Sequence, residues 1–239
     1  MNRGEVLLYV VLPYAAIAVF LVGHYWRYRT DQLGWGARSS QILESRALKY
    51  GSTIFHLGVL AAIGGHVLGV LIPASWTSAV GISDDAYHVI AVIGGLSAGG
   101  AVCVGFAILV YRRIRFPRVR MMTTRLDVAT FALLAIGIVT GMLATITNFG
   151  DAVHYRESVA PYFREMLVLD PNPGLMTGEH VSFIFQLHVT SVWFLYALWP
   201  FSRLVHVWSI PVDWFRRSPV PYRPRVPVGR TAARSGQEL

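Results

Sequence analysis

Five long apolar stretches dominate this sequence and limit the folds it can adopt. They run approximately over residues 6–26, 52–72, 88–111, 126–149 and 181–200. A helix needs about 20 apolar residues to cross a bilayer core about 30 Å thick. Each stretch is close to that length, and only 14% of the 239 residues are charged. The sequence therefore predicts an all-α protein, a bundle of five transmembrane helices.

The basic residues predict the orientation of these helices. Eighteen of the 21 Lys and Arg residues follow the first, third or fifth stretch, and the opposite side holds only Arg3, Arg156 and Arg164. Because cytoplasmic loops are rich in Lys and Arg, the amino terminus is expected outside and the carboxyl terminus in the cytoplasm. The net charge of +8 thus indicates a multi-pass protein of the cell membrane, not a nucleic-acid-binding protein.

The chain divides into one membrane domain, residues 1–215, and a basic, proline-rich cytoplasmic tail, residues 216–239. Such a tail cannot form a core by itself. It is either a disordered segment attracted to anionic lipid or a docking segment for a cytoplasmic partner. The long outer connection, residues 150–180, is rich in turn residues and is expected to carry a short surface helix.

Four of the eight histidines lie at membrane depth. His154 and His180 belong to the outer connection, and His24 and His88 lie at span ends, where interfacial hydrogen bonding explains them. The deep histidines are His56 and His66 on the second stretch and His188 and His206 on or just beyond the fifth. Because these two helices run in opposite directions, His56 and His206 share the inner level, and His66 and His188 the outer level.

A neutral imidazole in hydrocarbon must still satisfy a donor and an acceptor, so such residues indicate a functional site. Single interhelical hydrogen bonds are one explanation, but four histidines at two shared levels favour metal ligation. Zinc and manganese sites recruit carboxylates or thiolates, and the spans offer only Asp127 and the lone Cys103. Two imidazoles per level are what a haem iron needs on its axial faces.

Glycines flank these histidines on the second stretch: Gly58, Gly64, Gly65 and Gly69. They are expected either to leave clearance for a flat macrocycle or to pack helices closely, as Gly65 and Gly69 do in a G-x-x-x-G pattern. The glycines of the third stretch, at positions 94, 95, 99 and 100, are interpreted mainly as packing residues. Pro200 separates the histidines of the fifth stretch and is expected to bend or end that helix.

Two segments, "FHLGVLAAIGGHVLG" (55–69) and "FQLHVTSVWFLYALWPFSRLVHVWSIP" (185–211), carry a family resemblance. With "SSQ" at 39–41 and "PRVR" at 117–120, they resemble the gamma subunit of membrane-bound respiratory nitrate reductase, a five-span di-haem cytochrome b. The likeness extends from the first stretch to about residue 215.

This resemblance implies two b-type haems, a distal one held by His66 and His188 and a proximal one held by His56 and His206. It implies that quinol is oxidised near the distal haem at the outer face. Its electrons then pass through both haems to a cytoplasmic iron–sulfur beta subunit and on to a molybdenum-containing alpha subunit that reduces nitrate.

The quinol site departs from the family pattern. Some members have a lysine near the outer start of the third span, where this sequence reads "DDAYHVI". His88 is expected either to take over as the hydrogen-bond partner or proton acceptor of quinol, a role that imidazole suits, or to be an interfacial structural histidine. Gly65, next to His66, is a second quinol-pocket residue, where added bulk should obstruct quinol or haem.

Two alternatives stay open at this point. In the first, the chain is a di-haem b subunit of a sulfur-metabolising membrane complex, which has histidines in the same arrangement. In the second, it is a haem-free membrane anchor or transporter with hydrogen-bonded histidines. A transporter is expected to carry ionisable groups or broken helices at mid-membrane.

Overall fold

A computed structural model describes residues 2–31, 34–36, 39–147, 153–178 and 181–208, and all regular structure in these ranges is helical. Five helices are long and apolar enough to cross a membrane: Arg3–Thr30, Arg46–Leu71, Asp84–Arg115, Arg125–Thr147 and Phe183–Phe201. They are called the first to fifth spans below. The predicted five-helix fold is confirmed. The tail 216–239, the boundary at 215 and His180 lie outside the described residues.

Most spans extend beyond the apolar stretches that predict them. The second span begins at Arg46 and the third ends at Arg115, several residues into polar sequence. A helix satisfies its backbone hydrogen bonds without water. It therefore continues through the interface to a point where water or side chains can bond the free backbone groups at its end. Short helices, Ala74–Ala79 and Pro117–Met121, lie in the connections beside the second and third spans.

Interhelical contacts bring like ends of the spans together. Arg27 of the first span bonds Ser202 beyond the fifth, and Arg203 pairs with Asp127 at the start of the fourth. We call this end the basic face. At the opposite face, Arg156 of the connection between the fourth and fifth spans pairs with Asp84, where the third span begins.

Glycines fasten the second span to the third. A Cβ atom at Gly58 would lie 2.8 Å from the backbone nitrogen of Val102, and one at Gly105 would overlap the backbone of Phe55. Gly69 likewise faces the Tyr87 hydroxyl. Gly58 and Gly69 therefore serve close packing, and of the four expected clearance glycines only Gly64 and Gly65 face space free of described atoms.

The glycines of the third span divide in the same way. A Cβ at Gly95 would lie 3.1 Å from Thr145, and one at Gly99 would lie 2.9 Å from the Met142 sulfur, so these two pack against the fourth span. Gly94 and Gly100 have no described atom within 4 Å of an added Cβ. The packing interpretation therefore holds for only part of this set.

The connection between the fourth and fifth spans folds over the first and fifth spans. Its described residues, 153–178, contain three short helices, Val153–Glu157, Val159–Leu167 and Gly174–Thr177, more than the single surface helix expected. Tyr162 is fully buried, and its hydroxyl donates to the Tyr9 carbonyl at 2.7 Å. Pro13, four residues after Tyr9, has no N–H for that carbonyl. Tyr162 thus satisfies a group that a proline leaves free.

The fifth span bends after Leu198. Its α-helix, Phe183–Leu198, is followed by a 3-10 turn, Trp199–Phe201, then by an extended residue, Ser202, and by a second 3-10 segment, Arg203–Trp208. The expected break near Pro200 is therefore present. His206 lies on the segment beyond it, so its position depends on how the bend is held.

Candidate functional site

The structure brings His56 and His206 together near the basic face. Their Nε2 atoms are 3.4 Å apart, their ring centres are 5.8 Å apart, and the rings are nearly perpendicular at 82°. His56 lies on the second span and His206 beyond the bend of the fifth. Two different helices thus present one imidazole each to a common point.

His66 and His188 form a second pair further from the basic face. Their ring centres are 6.2 Å apart and their planes differ by 31°. His66 lies ten residues after His56 on a continuous helix, a rise of about 15 Å. The chain therefore presents two imidazole pairs, one at each of two levels.

A backbone carbonyl fixes the tautomer of each of these histidines. The Nδ1 atom of His56 lies 2.7 Å from Ser52 O, and that of His66 lies 2.7 Å from Ala62 O. The Nδ1 atom of His188 lies 3.0 Å from Gly137 O, and that of His206 lies 2.6 Å from Arg203 O. A carbonyl only accepts, so each Nδ1 carries the hydrogen and each Nε2 presents a lone pair.

This tautomer assignment leaves two acceptors facing each other. When both rings are neutral, no hydrogen lies between Nε2 of His56 and Nε2 of His206, which are 3.4 Å apart. Two facing lone pairs repel unless a cation lies between them. An iron bonded to both at about 2 Å needs nitrogens about 4 Å apart and ring centres about 6 Å apart. The Nε2 atoms of His56 and His206 would reach that spacing after opening by about half an ångström, and the ring centres of His66 and His188, 6.2 Å apart, already match the second distance.

The number of donors favours a metal that brings other ligands. Among the described residues, no group of three or more His, Cys, Asp or Glu side chains could hold a metal ion. Asp127 is occupied by the Arg203 guanidinium at 2.7 Å. Two imidazoles match the two axial positions of a haem iron, whose porphyrin supplies the other four nitrogens. The residues present therefore fit bis-histidine haem at each level.

His24 shows what a purely structural histidine looks like in this fold. Its Nδ1 atom lies 2.6 Å from Phe20 O, and its Nε2 atom accepts from the Trp208 indole at 3.1 Å. Both ring nitrogens are satisfied by the chain. His88 lies half-buried in the first turns of the third span and belongs to neither imidazole pair, and His154 lies on the short helix Val153–Glu157.

The fourth span supports His188 from the side. Besides the carbonyl of Gly137, the Thr140 hydroxyl lies 3.2 Å from Nδ1 of His188. Thr140 donates its own hydrogen to Ile136 O at 2.7 Å, so its oxygen accepts from the imidazole. A Cβ at Gly141 would lie 2.8 Å from Cε1 of His188. The ring is thus held against a surface that only glycine permits.

The space beside His66 is open. Gly64 and Gly65 precede this histidine, and no described atom lies within 4 Å of a Cβ added at either. A π-helical turn, Val67–Leu71, follows directly, a distortion that is frequent at functional sites. Its Val70 carbonyl accepts from the Arg164 guanidinium at 3.0 Å.

Tyrosines cover the end of the second span. The Tyr155 hydroxyl donates to the Tyr87 hydroxyl at 3.2 Å, and the Arg156 guanidinium lies 3.8 Å from the centre of the Tyr87 ring. Burial, followed by this contact with Tyr87, raises the pKa of Tyr155. The neutral hydroxyl form is therefore the one present at physiological pH.

A buried ion pair organises the basic face beside the second span. The Arg112 guanidinium, 2% exposed, donates to a Glu44 carboxylate oxygen at 2.6 Å and to the backbone carbonyls of Ser40 and Glu44. Burial alone would raise the pKa of Glu44, but the Ala47 and Leu48 amides and the Arg112 guanidinium hold it below its ordinary value. This pair joins the loop before the second span to the end of the third.

Sequence reasoning did not identify the residues that hold the histidines in place. These residues look like other threonines, glycines and interfacial polar residues of a membrane protein, and no sequence motif marks them: Ser52, Thr140, Gly141 and Arg203. Ser52 lies four residues before His56, which places it one helical turn away. This spacing does not show that its backbone carbonyl accepts from the imidazole.

Comparisons with known proteins agree on one family. A model of the nitrate reductase gamma subunit matches residues 5–225. The nitrate reductase gamma chain of Bacillus subtilis is 42% identical over 220 residues, covering 92% of this chain and 98% of that protein. The respiratory nitrate reductase 1 gamma chain of Escherichia coli is 34% identical over 210 residues, 87% of this chain and 92% of that protein. Nitrate reductase-like protein NarX of Mycobacterium tuberculosis is 43% identical over 225 residues, 93% of this chain but 34% of NarX.

Proposed function

Since this chain belongs to the nitrate reductase gamma subunit family and is a multi-pass membrane subunit of a nitrate reductase complex, we propose that it is the quinol-oxidising cytochrome b of that complex. His66 and His188 hold a distal haem, and His56 and His206 hold a proximal haem. Its partners are an iron–sulfur subunit and a molybdenum catalytic subunit at the basic face.

The observation that carries this proposal is the 3.4 Å separation of the Nε2 atoms of His56 and His206, on rings whose Nδ1 atoms both face backbone carbonyls. The Nδ1 bonds to backbone carbonyls orient each ring and make each imidazole a better donor to a metal. When bound, haem supplies the one-electron redox chemistry, and the protein tunes it through ligands, burial and hydrogen bonds.

Quinol is proposed to bind beside His66. Gly64 and Gly65 leave space there, and the π-helical turn and the tyrosines Tyr87 and Tyr155 cover the adjacent end of the span. Quinol must lose protons as it is oxidised, and the half-buried His88 on the third span is the proposed acceptor because imidazole is a common general base.

The charge distribution supports an arrangement in which the basic face meets the cytoplasm. The quinol site then lies toward the outer face of the cytoplasmic membrane, and protons leave on that side. Moving one electron inward across the membrane stores about 2.3 kcal/mol per 100 mV of potential. The two imidazole levels divide the path across the membrane into three shorter steps.

The test is electron transfer from quinol to nitrate in membranes that contain the complete complex. His66→Ala or His188→Ala should remove the distal haem and stop quinol oxidation, and His56→Ala or His206→Ala should remove the proximal haem. His154→Ala is the matched control, because this residue lies on the short helix Val153–Glu157 outside the five spans, and it should keep both haems. If one of the four variants keeps a full haem complement, that residue's assignment is wrong.

A di-haem subunit of a sulfur-metabolising complex would share the same imidazole pairs. The relatives named above, 42% and 34% identical over most of their length, are nitrate reductase gamma chains, which favours the nitrate enzyme. Copurification decides between the two: a molybdenum subunit that reduces nitrate supports the proposal, and one that acts only on sulfur compounds contradicts it.

A further inference from the structure

The bent segment, residues 200–208, carries the ligand His206 outside any continuous transmembrane helix. A proline and an extended residue interrupt the helical bonding there, and freed carbonyls at this depth need donors from elsewhere in the protein. Within the bent segment, the Ser202 hydroxyl accepts a hydrogen bond from the Leu204 amide at 3.2 Å. That bond takes away the N–H that would otherwise reach the Pro200 carbonyl.

Arg27 of the first span supplies the missing donors. Its Nη1 atom donates to Pro200 O at 2.6 Å and to Ser202 O at 2.9 Å, and its Nη2 atom donates to Gly34 O at 2.8 Å. One guanidinium therefore joins the bend, the first span and the loop that follows it. The fork of Arg suits several carbonyls at once, which a single ammonium does less well.

The first span also fits closely against the bend. A Cβ at Gly23 would lie 2.9 Å from both Cβ and Cγ of Pro200. The next residue of the span, His24, accepts from the Trp208 indole at the far end of the bent segment. The segment is thus held to the first span at its beginning and at its end.

The fourth span holds the middle of the bent segment. Asp127 accepts from Nε of Arg203 at 2.7 Å and is almost fully buried. The carbonyl of Arg203 is the group that orients the His206 imidazole, at 2.6 Å from its Nδ1 atom. A displacement of Arg203 therefore moves both the backbone and the hydrogen bond on which His206 depends.

From these contacts we propose that Arg27 and Asp127 are positioning residues for the proximal haem: they hold the bent segment so that His206 faces His56. The inference rests on the proposed function, since it assumes that this imidazole pair ligates haem. It assigns a role to the first and fourth spans, which provide no proximal ligand themselves.

The test is made on the complete complex in membranes, with the haem content measured by absorbance and by redox titration. The variants are Arg27→Gln and Asp127→Asn. Arg29→Gln is the matched control, because Arg29 is an exposed arginine on the same helix. Spectra of His56→Ala and His66→Ala identify which haem each signal belongs to.

Loss of a partner that orients a ligand costs about 10- to 100-fold in affinity. Both variants should therefore show a weaker proximal-haem signal and keep the distal haem with an unchanged midpoint potential. The distal haem also reports that the chain has folded. Both haems retained with unchanged potentials would overturn the inference, and so would loss of both haems, which shows a general folding role. A wild-type chain without two haems would instead refute the proposed function.

Discussion

Replacing Gly141 with alanine should dislodge the distal ligand His188. A Cβ at this position would lie 2.8 Å from Cε1 and 3.2 Å from Nδ1 of the imidazole, whereas carbon atoms prefer about 3.5–4.0 Å. The ring must therefore move by about 1 Å. It cannot do so freely, because its Nδ1 atom is bonded to Gly137 O at 3.0 Å and lies near the Thr140 hydroxyl.

The magnitudes favour loss of ligation over adjustment. Overpacking costs about 1–3 kcal/mol, and disturbing a buried hydrogen bond costs about 1–3 kcal/mol more. The gain in helix propensity from Gly to Ala, about 1 kcal/mol, is the same in both ring orientations and does not offset these costs. The lower limit of their sum, about 2 kcal/mol, lowers the population of the ligating orientation roughly thirtyfold.

The assay is the distal-haem signal in membranes that contain the complete complex, normalised to the amount of chain. Gly99→Ala is the matched control. Its Cβ would lie 2.9 Å from the Met142 sulfur, a similar overlap, but a methionine end moves easily, so this variant should keep both haems. If Gly141→Ala also keeps a full distal signal with an unchanged potential, the close contact with His188 does not constrain the ligand and the reasoning fails.

Three further changes test other parts of the structure. Thr140→Val removes one acceptor from the His188 Nδ1–H while Gly137 O remains, so the distal midpoint potential should rise by about 20 mV in a redox titration and the proximal one should not move. Gly65→Leu fills the space beside His66, and steady-state quinol oxidation should fall by about tenfold or more; an unchanged rate would place the quinol elsewhere. Glu44→Gln breaks the buried pair with Arg112 and should cost about 3 kcal/mol of stability at neutral pH. Because the folded-state pKa of Glu44 is lowered, its carboxylate stabilises the fold above its ordinary pKa, and the difference in melting temperature from wild type should shrink as pH falls through the folded-state value.

The spans and the break in the fifth helix were predictable from sequence for physical reasons. Only helices and closed barrels can cross hydrocarbon, and apolar stretches of about 20 residues have the length of a helix. The five stretches therefore predicted five transmembrane helices. The break followed from Pro200, because proline has no backbone N–H and its ring clashes with the carbonyl four residues earlier in a helix. The ends of the spans were less predictable, since helices such as Arg46–Leu71 continue into polar sequence.

The alternation of span direction predicted which histidines share a level, and the structure brings together the same pairs, His56 with His206 and His66 with His188. The supporting contacts were not predictable. Arg27 satisfies carbonyls that lie 173 and 175 residues away along the chain, and a pattern local in sequence cannot show such a pair. The structure was also needed to separate the packing glycines from those that leave clearance. Gly58 and Gly65 look alike in sequence, but only Gly65 faces open space.

The central claim is that two imidazole pairs each hold one iron. Low-temperature electron paramagnetic resonance of the oxidised wild-type complex, combined with its reduced-minus-oxidised absorbance spectrum, tests it most directly. The account predicts about two low-spin b-type haems per chain, each with two imidazole ligands and each lost separately in the histidine variants. A spectrum without b-type haem, or one in which a haem is ligated by anything other than two imidazoles, would contradict it.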